Sequence, residues 1–487
     1  MQVIYLVPEI TLTHQLSRDV SARFSSRVAI LHSALTPSQR LREWKRIIRH
    51  EVDLVVGARS AVFAPCVKLG LIIMDEEHEN SYKSSSTPRY HARQVAQKRC
   101  QMNGISFIMG SATPSLEAWN MMEKGLVRRI DMPERVAGGK RPDIEVVSML
   151  GQDRCISARL EEEIRLALLE RRGVILFLNR RGYSYYYHCN SCGHVIECPN
   201  CSIAMTYHKN TGMLQCHCCG YSQPPVRECP QCLSTDMSPA GHGTEKVEEE
   251  VRRLFPQAAA ARLDTDSASA DRELASRIIS DFCSGKINIL LGTQMVAKGL
   301  NFPLLSLVGV ISADSTLSVP DFRSEERTYS LLEQVAGRAG RYDCSGKVII
   351  QTYRPSDRAV QAVLHNDSAG FYRDELAVRS MLGYPPFSRI VSLVFRSKTK
   401  ARAETGVNDL AGIIRKVIAS SGLDGSVRVM GVSVCIIERK AANFRYQILL
   451  SGSSLSQINS VVRKALSLYR EPSGVYIEID VDPLNLM

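Results

Sequence analysis

Cysteine pairs are the residues in this sequence whose type and spacing most clearly define a chemistry. Nine of the fifteen cysteines lie between residues 189 and 232, and eight of these form four Cys-x-x-Cys pairs. Each pair can supply two thiolates, and two pairs complete one tetrahedral Zn²⁺ site with no coordination position left for water. The pattern therefore predicts two structural zinc ions. Redox disulfides and unrelated core cysteines are the alternatives.

The spacing of the pairs favours one of their three possible combinations. Fourteen residues separate Cys201 from Cys216, enough for a hairpin that closes the second pair onto the third, whereas only five separate Cys192 from Cys198. We therefore expect a nested arrangement. Zinc 1 is predicted at Cys189, Cys192, Cys229 and Cys232, and zinc 2 at Cys198, Cys201, Cys216 and Cys219. The nearby histidines are expected to be solvated rather than ligands; they are His188, His194, His208 and His217.

A pair of adjacent acids, Asp75 and Glu76, directly follows the apolar run LGLIIM at 69–74. In open α/β sheets, ligands collect at the carboxyl ends of the strands, so both carboxylates are expected to face a site. Asp75 could hold Mg²⁺ through water, and Glu76 could orient and deprotonate an attacking water molecule. An acidic pair alone is a weak signal, because most such pairs only open a loop.

The same pattern of a strand followed by a small polar loop occurs twice more, in ISFIMGSATP (105–114) and INILLGTQMVAKG (287–299). The segment EQVAGRAGR (333–341) then spaces Arg338 and Arg341 three residues apart. That spacing puts both guanidinium groups on one face if the segment is helical, where they can stabilise charge on a transferring phosphoryl group. Together these segments predict a site that handles nucleotides.

The elements that must position these residues alternate between short apolar runs and helical stretches. Runs such as VIYLV (3–7), GVILFL (173–178) and KVIIQT (347–352) are typical of buried strands in parallel sheets covered by helices. After Pro385-Pro386 the pattern changes to alternating polar and apolar residues, with helices near 401–419 and 454–469. The sequence therefore predicts an α/β protein with a small α+β domain at its end.

Charge and hydropathy limit the class of partner. The formal net charge is +11, and the excess lies in residues 1–185 (+8) and 371–487 (+6), which are the surfaces we expect to meet phosphate backbones. Scattered, solvated lysines and arginines are the alternative explanation. No apolar stretch reaches 18 residues, and the start MQVIYLVPEI lacks the basic region of a secretory signal. A cytoplasmic protein without membrane contact is therefore expected.

The ordered series of motifs resembles superfamily 2 helicases. The series is VPEI (7–10), GARSAVFAP (57–65), DEEH (75–78), GSATP (110–114), FLNRRG (177–182), GTQMVAKG (292–299) and QVAGRAGR (334–341). The cysteine pairs directly after FLNRRG, together with RYHAR (89–93), make the chain similar to the PriA family of primosomal replication-restart helicases. The resemblance extends over essentially the whole chain, to DVDP at 480–483.

The resemblance implies a role for each matching residue. Asp75 and Glu76 match the acids that coordinate Mg²⁺ and activate water, and Gln334, Arg338 and Arg341 match the γ-phosphate and arginine-finger positions. Ser111 and Thr113 lie in the motif that couples hydrolysis to lobe movement. An aromatic-rich loop that senses single-stranded DNA is implied at Tyr82, Arg89, Tyr90, His91 and Arg93. Simple packing of Tyr82 and Tyr90 against the lobe is the alternative.

The resemblance also implies an architecture and a function. It divides the chain into a first RecA-like lobe (1–125), a connection and the start of a second lobe (126–185), a two-zinc insertion (186–235), the rest of the second lobe (236–370) and an α+β domain (371–487). The implied function is ATP-dependent 3′→5′ DNA unwinding that restarts replication at stalled forks. Its implied cofactors are two Zn²⁺, Mg²⁺ and ATP; its partners are forked and single-stranded DNA, primosome proteins and single-stranded DNA-binding protein.

One expected motif is missing. No G-x-x-x-x-G-K-[ST] segment, the Walker A loop that cradles nucleotide phosphates, occurs in the sequence. The resemblance places that loop, and an amino-terminal DNA-binding region, before the strand that begins at Met1. We therefore expect the chain to be the body of a longer protein, or to pair with a separate P-loop segment. The alternatives are a platform that binds DNA and proteins without turning over ATP, and a gene remnant or mis-assigned start codon.

Overall fold

The computed structural model describes residues 1–8, 22–24, 27–32, 35–132, 141–152, 154–178, 186–200, 203–208, 211–217, 219–240, 244–263, 272–293, 302–340 and 346–486. The chain divides into two compact units, Met1–Glu123 and Lys124–Met487. Among the described residues, no helix combines the length and the apolar character that a membrane crossing requires.

The first unit is built on a parallel sheet of five strands in the order β2-β3-β1-β4-β5. The strands are β1 (Gln2–Leu6), β2 (Val28–Leu31), β3 (Leu54–Gly57), β4 (Leu69–Met74) and β5 (Ser106–Met109). Met74 at the end of β4 pairs with Leu6 of β1 and Met109 of β5, so the loops that follow these three strands leave the same edge of the sheet. This register brings the predicted motifs 75–78 and 110–114 together.

Among the described residues, the helices with assigned bounds that accompany this sheet are α1 (Pro37–Ile48), α2 (Ala92–Asn103) and α3 (Leu116–Glu123). Thr36 and Gln39 form a reciprocal capping box at the start of α1, and Gly104 ends α2 in the left-handed conformation at φ 62°. The core between sheet and helices contains Ile4, Leu6 and Ile72 from the strands and Ala96 from α2. These capping residues explain where α1 begins and where α2 ends.

The strands of the second unit form three sheets. In chain order they are β6 (Asp143–Ser148), β7 (Gly173–Phe177), β8 (Tyr186–Cys189), β9 (Thr206–His208), β10 (Met213–Gln215), β11 (Ser222–Gln223), β12 (Met237–Ala240), β13 (Ala260–Leu263), β14 (Ile289–Gly292), β15 (Leu305–Val310), β16 (Lys347–Thr352), β17 (Arg389–Ser397), β18 (Val427–Lys440), β19 (Asn443–Gly452) and β20 (Val475–Val481).

The helices of the second unit lie between these strands. In chain order they are α4 (Ala158–Leu169), α5 (Thr244–Leu254), α6 (Arg272–Cys283), α7 (Asp314–Leu317), α8 (Ser324–Ala336), α9 (Arg358–His365), α10 (Ser368–Leu382), α11 (Lys400–Ser420) and α12 (Leu455–Leu468).

The first sheet of this unit is parallel, in the order β13-β14-β7-β15-β16-β6. Strand β7 is buried throughout because it lies inside the sheet, and its run GVILF is continuously apolar. Side chains of α4 and α5, including Leu160, Ile164 and Val251, pack with the strands in one core. The α/β class predicted from continuous apolar runs is confirmed by these two parallel sheets.

An antiparallel sheet in the order β11-β10-β9-β8-β12 carries the cysteine pairs and follows the carboxyl end of β7. The last sheet, in the order β18-β19-β17-β20, is also antiparallel. Its side chains alternate: Val391 and Leu450 pack with α11 and α12, whereas Ile390 and Leu449 pack with Ile196 of the cysteine module. The carboxyl-terminal sheet is therefore covered by its own helices on one face and contacts the cysteine module on the other.

Candidate functional site

Asp75 lies at the carboxyl end of β4, and its carboxylate is held by two neutral donors. The hydroxyl of Tyr5, from the neighbouring strand β1, donates to Oδ2 at 3.0 Å, and the backbone N–H of Glu76 donates to Oδ1 at 3.0 Å. Burial and the adjacent carboxylate raise the pKa of Tyr5, so its hydroxyl remains a donor at neutral pH. Among the described residues, no lysine or arginine forms an ion pair with Asp75.

The residues after Asp75 connect it to the Ser-Ala-Thr loop. Glu76 has a positive φ of 45°, an uncommon conformation for a residue other than glycine. The next turn places Nδ1 of His78 2.7 Å from Oγ of Ser111. Backbone bonds strengthen this link, because the N–H of Glu77 donates to Gly110 O at 3.0 Å. The acidic motif and the loop after β5 therefore form one hydrogen-bonded layer.

Glu77 is the buried centre of this layer and is 2% exposed. Its carboxylate accepts hydrogen bonds from the N–H of Ser115 at 2.6 Å and from the guanidinium of Arg93 at 2.8 Å. Arg93 also donates to the Ser115 hydroxyl at 2.6 Å. A buried carboxylate is stable only when such donors and a counter-charge satisfy it. Arg93 thus connects the acidic motif to the segment 89–93.

Two residues assigned to DNA sensing have internal positions instead. Tyr82 is fully buried, and its hydroxyl donates to Asp75 O at 2.6 Å and to Leu6 O at 3.0 Å. A ring with no exposed face cannot stack on a base, so the packing alternative describes Tyr82. Arg93 is committed to its ion pair with Glu77. Pattern alone could not show this, because burial is decided by how the loop packs on the sheet.

The surface of this region contains Tyr90 together with Phe63, an aromatic residue for which the sequence predicts no role. The two rings meet edge to face at 4.8 Å, and the guanidinium of Arg59 lies 5.9 Å from the centre of the Tyr90 ring. Phe63 is 46% exposed, and Tyr90 is partly buried. Phe63 lies inside the motif GARSAVFAP, where it is indistinguishable from an ordinary apolar position.

The remaining predicted residues of the first unit have intermediate or buried positions. His91 caps α2, because its Nδ1 accepts the backbone N–H of Arg93 at 3.2 Å. Ser111 accepts the N–H of Thr113 at 3.0 Å, and Thr113 is buried. Arg89 is partly buried on the segment between Pro88 and Tyr90. Hydrogen bonds therefore join Ser111 and Arg93 to the acidic motif at one edge of the first sheet.

In the second unit, Gln334 lies near the end of α8 and donates to Ser330 Oγ at 3.2 Å. The helix ends at Ala336, and Gly337 caps it by donating its N–H to Glu333 O at 2.8 Å. Arg338 follows in a turn, so the prediction that Arg338 and Arg341 share one helical face is wrong at its first member. The glycine-rich sequence GRAG explains the early end of the helix. Arg341 lies outside the described residues.

The cysteine sulfurs form two clusters. Cys189, Cys192, Cys229 and Cys232 have all four sulfurs within 4.8 Å of one another, and Cys198, Cys216 and Cys219 form the second group. Cys201, the fourth predicted member of the second group, lies outside the described residues. Sulfur pairs such as Cys189–Cys232 and Cys198–Cys219 are 3.6 Å apart. This is close to the distance of about 3.8 Å between corners of a tetrahedron with Zn–S bonds of about 2.3 Å, and far from a disulfide of about 2.05 Å.

The first cysteine of each pair makes the same backbone hydrogen bond. In all four pairs the N–H of the first cysteine donates to the carbonyl five residues later, as from Cys189 to His194 at 2.9 Å and from Cys216 to Tyr221 at 2.8 Å. The residue after the second cysteine donates back to the first cysteine's carbonyl in three pairs; these residues are Gly193, Gly220 and Leu233. The outer cluster therefore fits a tetrathiolate metal site by ligand type and sulfur spacing, and the three described sulfurs of the inner group fit three positions of a second such site.

The nearby histidines are not all solvated, contrary to expectation. His188 is 4% exposed and donates from Nδ1 to Ser238 O at 3.1 Å. His217 is 1% exposed and donates from Nδ1 to Val434 O at 3.0 Å, so its Nε2 accepts from His208 Nε2 at 3.0 Å. Burial lowers the pKa of His217 to about 4, which keeps the ring neutral. None of these rings belongs to a sulfur cluster among the described residues.

A first parallel sheet with acids at the end of an inner strand, and a second parallel sheet interrupted by a cysteine-rich module, define a two-lobed α/β helicase. Family sequence models agree with this class. They match a DEAD/DEAH box helicase at residues 1–121, a helicase conserved C-terminal domain at 241–343, a PriA DNA helicase Cys-rich region domain at 198–224, and a primosomal protein N C-terminal domain at 380–484.

Curated relatives narrow the class to one family. The chain is 48% identical over its full length to the replication restart protein PriA of Treponema pallidum (strain Nichols), of which it covers 73%, and 41% identical over its full length to that of Bacillus subtilis (strain 168), of which it covers 61%. The chain therefore belongs to the replication restart protein PriA family of DNA helicases. Among solved structures it is also similar to RecG bound to a three-way DNA junction, with a TM-score of 0.41, 15% identity and coverage of 77% of this chain and 40% of that one.

Proposed function

We propose that this chain performs the helicase step of replication restart: ATP-dependent 3′→5′ unwinding of forked DNA. The observation that carries the proposal is the bonded layer in the first unit, in which His78 contacts Ser111 and Glu77 contacts Arg93. This layer links the acidic motif to the Ser-Ala-Thr loop and to segment 89–93. The chain spans 73% of the length of the Treponema pallidum relative and 61% of the Bacillus subtilis relative, so we propose the activity of the whole relatives for it.

Asp75 and Glu76 are the residues that would hold a Mg²⁺–ATP complex and activate water. The Tyr5 hydroxyl and the Glu76 N–H that donate to Asp75 are both neutral, and carboxylate oxygens are ligands that suit a hard divalent cation. When bound, the cation would neutralise charge on the phosphates. Glu76 would orient a water molecule and accept its proton. By resemblance, Gln334, Arg338 and Arg341 are proposed as phosphate-binding residues of the second unit, Gln334 through hydrogen bonds and the two arginines through their charge.

DNA would be sensed at the surface formed by Phe63 and Tyr90. Phe63 exposes a ring large enough for base stacking, and the Arg59 guanidinium near Tyr90 supplies positive charge. A change at Tyr90 has a short route inward, since Ser84 donates its N–H to Tyr90 O at 2.8 Å and Tyr82 bonds to Asp75. In this proposal Tyr82, Arg93 and His78 transmit the signal, and Ser111 and Thr113 receive it.

We further propose that the cysteine module binds two zinc ions, as nested outer and inner sites. Primosome proteins and single-stranded DNA-binding protein are proposed as partners by resemblance alone. The metal content has a direct test, because elemental analysis of the purified chain should give about two Zn per chain. A value near zero would contradict the zinc proposal without affecting the helicase proposal.

The coupling proposal is tested by DNA-stimulated ATP hydrolysis of the purified chain. Arg93→Lys keeps the positive charge but loses the planar guanidinium group, whose Nη1 donates to both Glu77 and Ser115. We expect it to retain binding of fluorescent single-stranded DNA while losing most of the DNA stimulation. Lys98→Ala, on the exposed side of α2, is the control.

The outcomes separate the candidate functions. Parental stimulation in Arg93→Lys would contradict the coupling role of the bonded layer. DNA binding without ATP turnover by the purified chain would instead favour the platform that holds DNA without hydrolysing ATP. Phe63→Ala should weaken DNA binding by about 1–3 kcal/mol if its ring stacks on a base, and unchanged affinity would remove Phe63 from the proposed surface.

A further inference from the structure

The inner cysteine cluster lies against the carboxyl-terminal domain through two glycines that face each other. A Cβ atom added at Gly220, directly after Cys219, would lie 2.5 Å from the carbonyl oxygen of Val432. A Cβ added at Gly431 would lie 2.5 Å from the Cα of Cys219. Both distances are shorter than any ordinary contact, so the backbone of the cysteine turn rests directly on strand β18. Only glycine permits this approach from either side.

The cysteine turn determines the position of Gly220. Gly220 has φ 81°, and its N–H donates to Cys216 O at 2.9 Å. Cys216 and Cys219, which precede Gly220, belong to the inner sulfur cluster. A metal bound to these sulfurs would fix the position of Cys219 and therefore the surface on which β18 rests, because Cys219 is both a member of the cluster and a contact of Gly431.

Polar contacts surround the glycine pair. The carbonyl oxygen of His217 accepts the hydroxyl of Ser433 at 2.8 Å and the side-chain amide of Gln447 at 2.7 Å. The ring of His217 donates to Val434 O at 3.0 Å. All three partner side chains are at most 4% exposed. Buried hydrogen bonds of this kind are costly to break one at a time, so they resist separation of the two parts.

The same junction continues to the base of α8. The amide of Gln447 also lies 3.3 Å from Leu486 O, near the end of the chain. The N–H of Leu486 donates to Asp321 Oδ2 at 3.3 Å, and Asp321 pairs with Arg327 of α8 at 3.3 Å. Arg323 holds the same tail by donating to Pro483 O at 3.2 Å. The segment 483–486 therefore connects the junction to the helix that carries Gln334.

We infer that Cys216 and Cys219 form a metal-set anchor for the carboxyl-terminal domain, and that Gly220, Gly431 and Gln447 are positioning residues that connect it to α8. The inference rests on the proposed zinc ion in the inner site. The outer cluster has a different neighbour: a Cβ at Gly193 would lie 2.1 Å from Tyr353 O, just after β16. The two sites thus hold the module to different parts of the second unit.

The first test exploits reciprocity, since weakening the docking must also weaken the hold on the inner metal. Gly431→Ala introduces the clash with Cys219 on a strand where no positive φ is needed, and Gly425→Ala is the matched control because nothing lies within 4 Å of its added Cβ. Zinc release to a colorimetric chelator is followed with time. We expect Gly431→Ala to accelerate one of two release phases by about fivefold or more, and Gly425→Ala to accelerate neither.

A second pair of variants repeats the test from the other side. Gly220→Ala and Gly212→Ala both place a side chain at positive φ, 81° and 68°, but only Gly220 faces a neighbour within 4 Å. Amide hydrogen exchange should therefore rise in 431–434 and 483–486 for Gly220→Ala and remain near parental rates for Gly212→Ala. Equal rates in the two variants would overturn the anchor.

Gln447→Leu keeps the inference falsifiable if the glycine variants fail to fold. It leaves every cysteine in place and removes the amide that joins His217 O to Leu486 O. We expect faster exchange in 483–486 and in 321–327, with parental exchange in 189–193. Parental exchange in the tail would overturn the link to α8. If the protein contains no zinc, the anchor is not set by a metal and the inference fails together with the zinc proposal. Parental exchange in 483–486 of a zinc-bearing Gln447→Leu variant overturns the inference alone.

Discussion

The two cysteine clusters share one local chemistry and differ in their surroundings. Both are built from Cys-x-x-Cys turns with sulfurs 3.6 Å apart, yet Cys198 and Cys216 of the inner cluster lie in a hydrophobic core with Leu449 of the carboxyl-terminal sheet. In the outer cluster, Cys232 is exposed. Similar sulfur spacing therefore does not imply an identical role. The difference lies in what else each turn contacts, and variants that act on one cluster at a time can test it.

The largest expected effect comes from removing one ligand of each cluster. Cys216→Ser should lose the inner zinc and destabilise the carboxyl-terminal region by about 5 kcal/mol or more, because it removes a metal and disturbs a shared core. Cys232→Ser should also lose one zinc but leave that region folded. Elemental analysis combined with chemical unfolding checks both. Equal losses of stability would contradict the comparison.

A buried ion cluster beside the inner site gives the next effect. Arg379 is 1% exposed and pairs with Glu375 at 3.0 Å and with Glu326 at 2.8 Å, near the stacked rings of Phe322 and Tyr384. Arg379→Met leaves two carboxylates without this partner and should lower the unfolding free energy by about 3–5 kcal/mol.

Arg358→Met is the matched control for Arg379, because Arg358 pairs with the same Glu375 but its side chain is 43% exposed. We expect a loss of at most about 1 kcal/mol. Chemical denaturation of both variants measures the difference. A similar loss in the two variants would show that the buried arginine has no special part in joining α10 to α8.

The stability of the second unit should depend on pH through Glu325, which lies in α8. Burial, and after it the nearby Asp357 carboxylate, raises the pKa of Glu325 to about 8. Between the unfolded value of about 4.5 and about 8, the folded state binds more protons, so stability falls as pH rises through this range. Glu325→Gln should therefore gain about 1–2 kcal/mol relative to the parent at pH 8.5 and almost nothing at pH 4.5. Unfolding at the two pH values is the measurement, and a gain that is independent of pH would contradict the assignment.

The smallest effect is expected at Leu233, which follows the last outer cysteine. It has φ 63° and is 74% exposed, whereas Gly193 and Gly220 occupy the equivalent positions of two other turns. Leu233→Gly relieves the left-handed strain and should change stability by no more than about 1 kcal/mol, in the stabilising direction. Thermal unfolding with zinc present checks the sign. A marked loss of stability would contradict this prediction, because it would mean that the Leu233 side chain makes a stabilising contact.

Sequence reasoning succeeded where short spacing constrains the answer. Fourteen residues between Cys201 and Cys216, against five between Cys192 and Cys198, pointed to the grouping in which the structure places the described cysteines. The apolar run before Asp75 likewise indicated a strand whose carboxyl end lies beside the Ser-Ala-Thr loop. In both cases the decisive distance is set by a few consecutive residues.

Sequence reasoning was less successful where long-range packing decides the environment. Tyr82 and Arg93 have the composition of a DNA-contacting loop, but the loop folds inward and satisfies backbone carbonyls and Glu77. His217 is polar and next to a cysteine, yet it is buried because the carboxyl-terminal sheet covers it. The roles of Gly220 and Gly431 depend on two segments about 200 residues apart meeting, and no local pattern reveals that.

Stepwise removal of zinc tests the central claim most directly, because it changes the two sites of one unmodified protein in order. Hydrogen exchange is measured after a chelator has taken one equivalent and again after it has taken two. We predict that segments 431–434 and 483–486 stay protected after the first, outer ion leaves and lose protection when the inner ion leaves. Protection that survives removal of both ions, or that disappears with the outer ion alone, would contradict the inner site's role as the anchor.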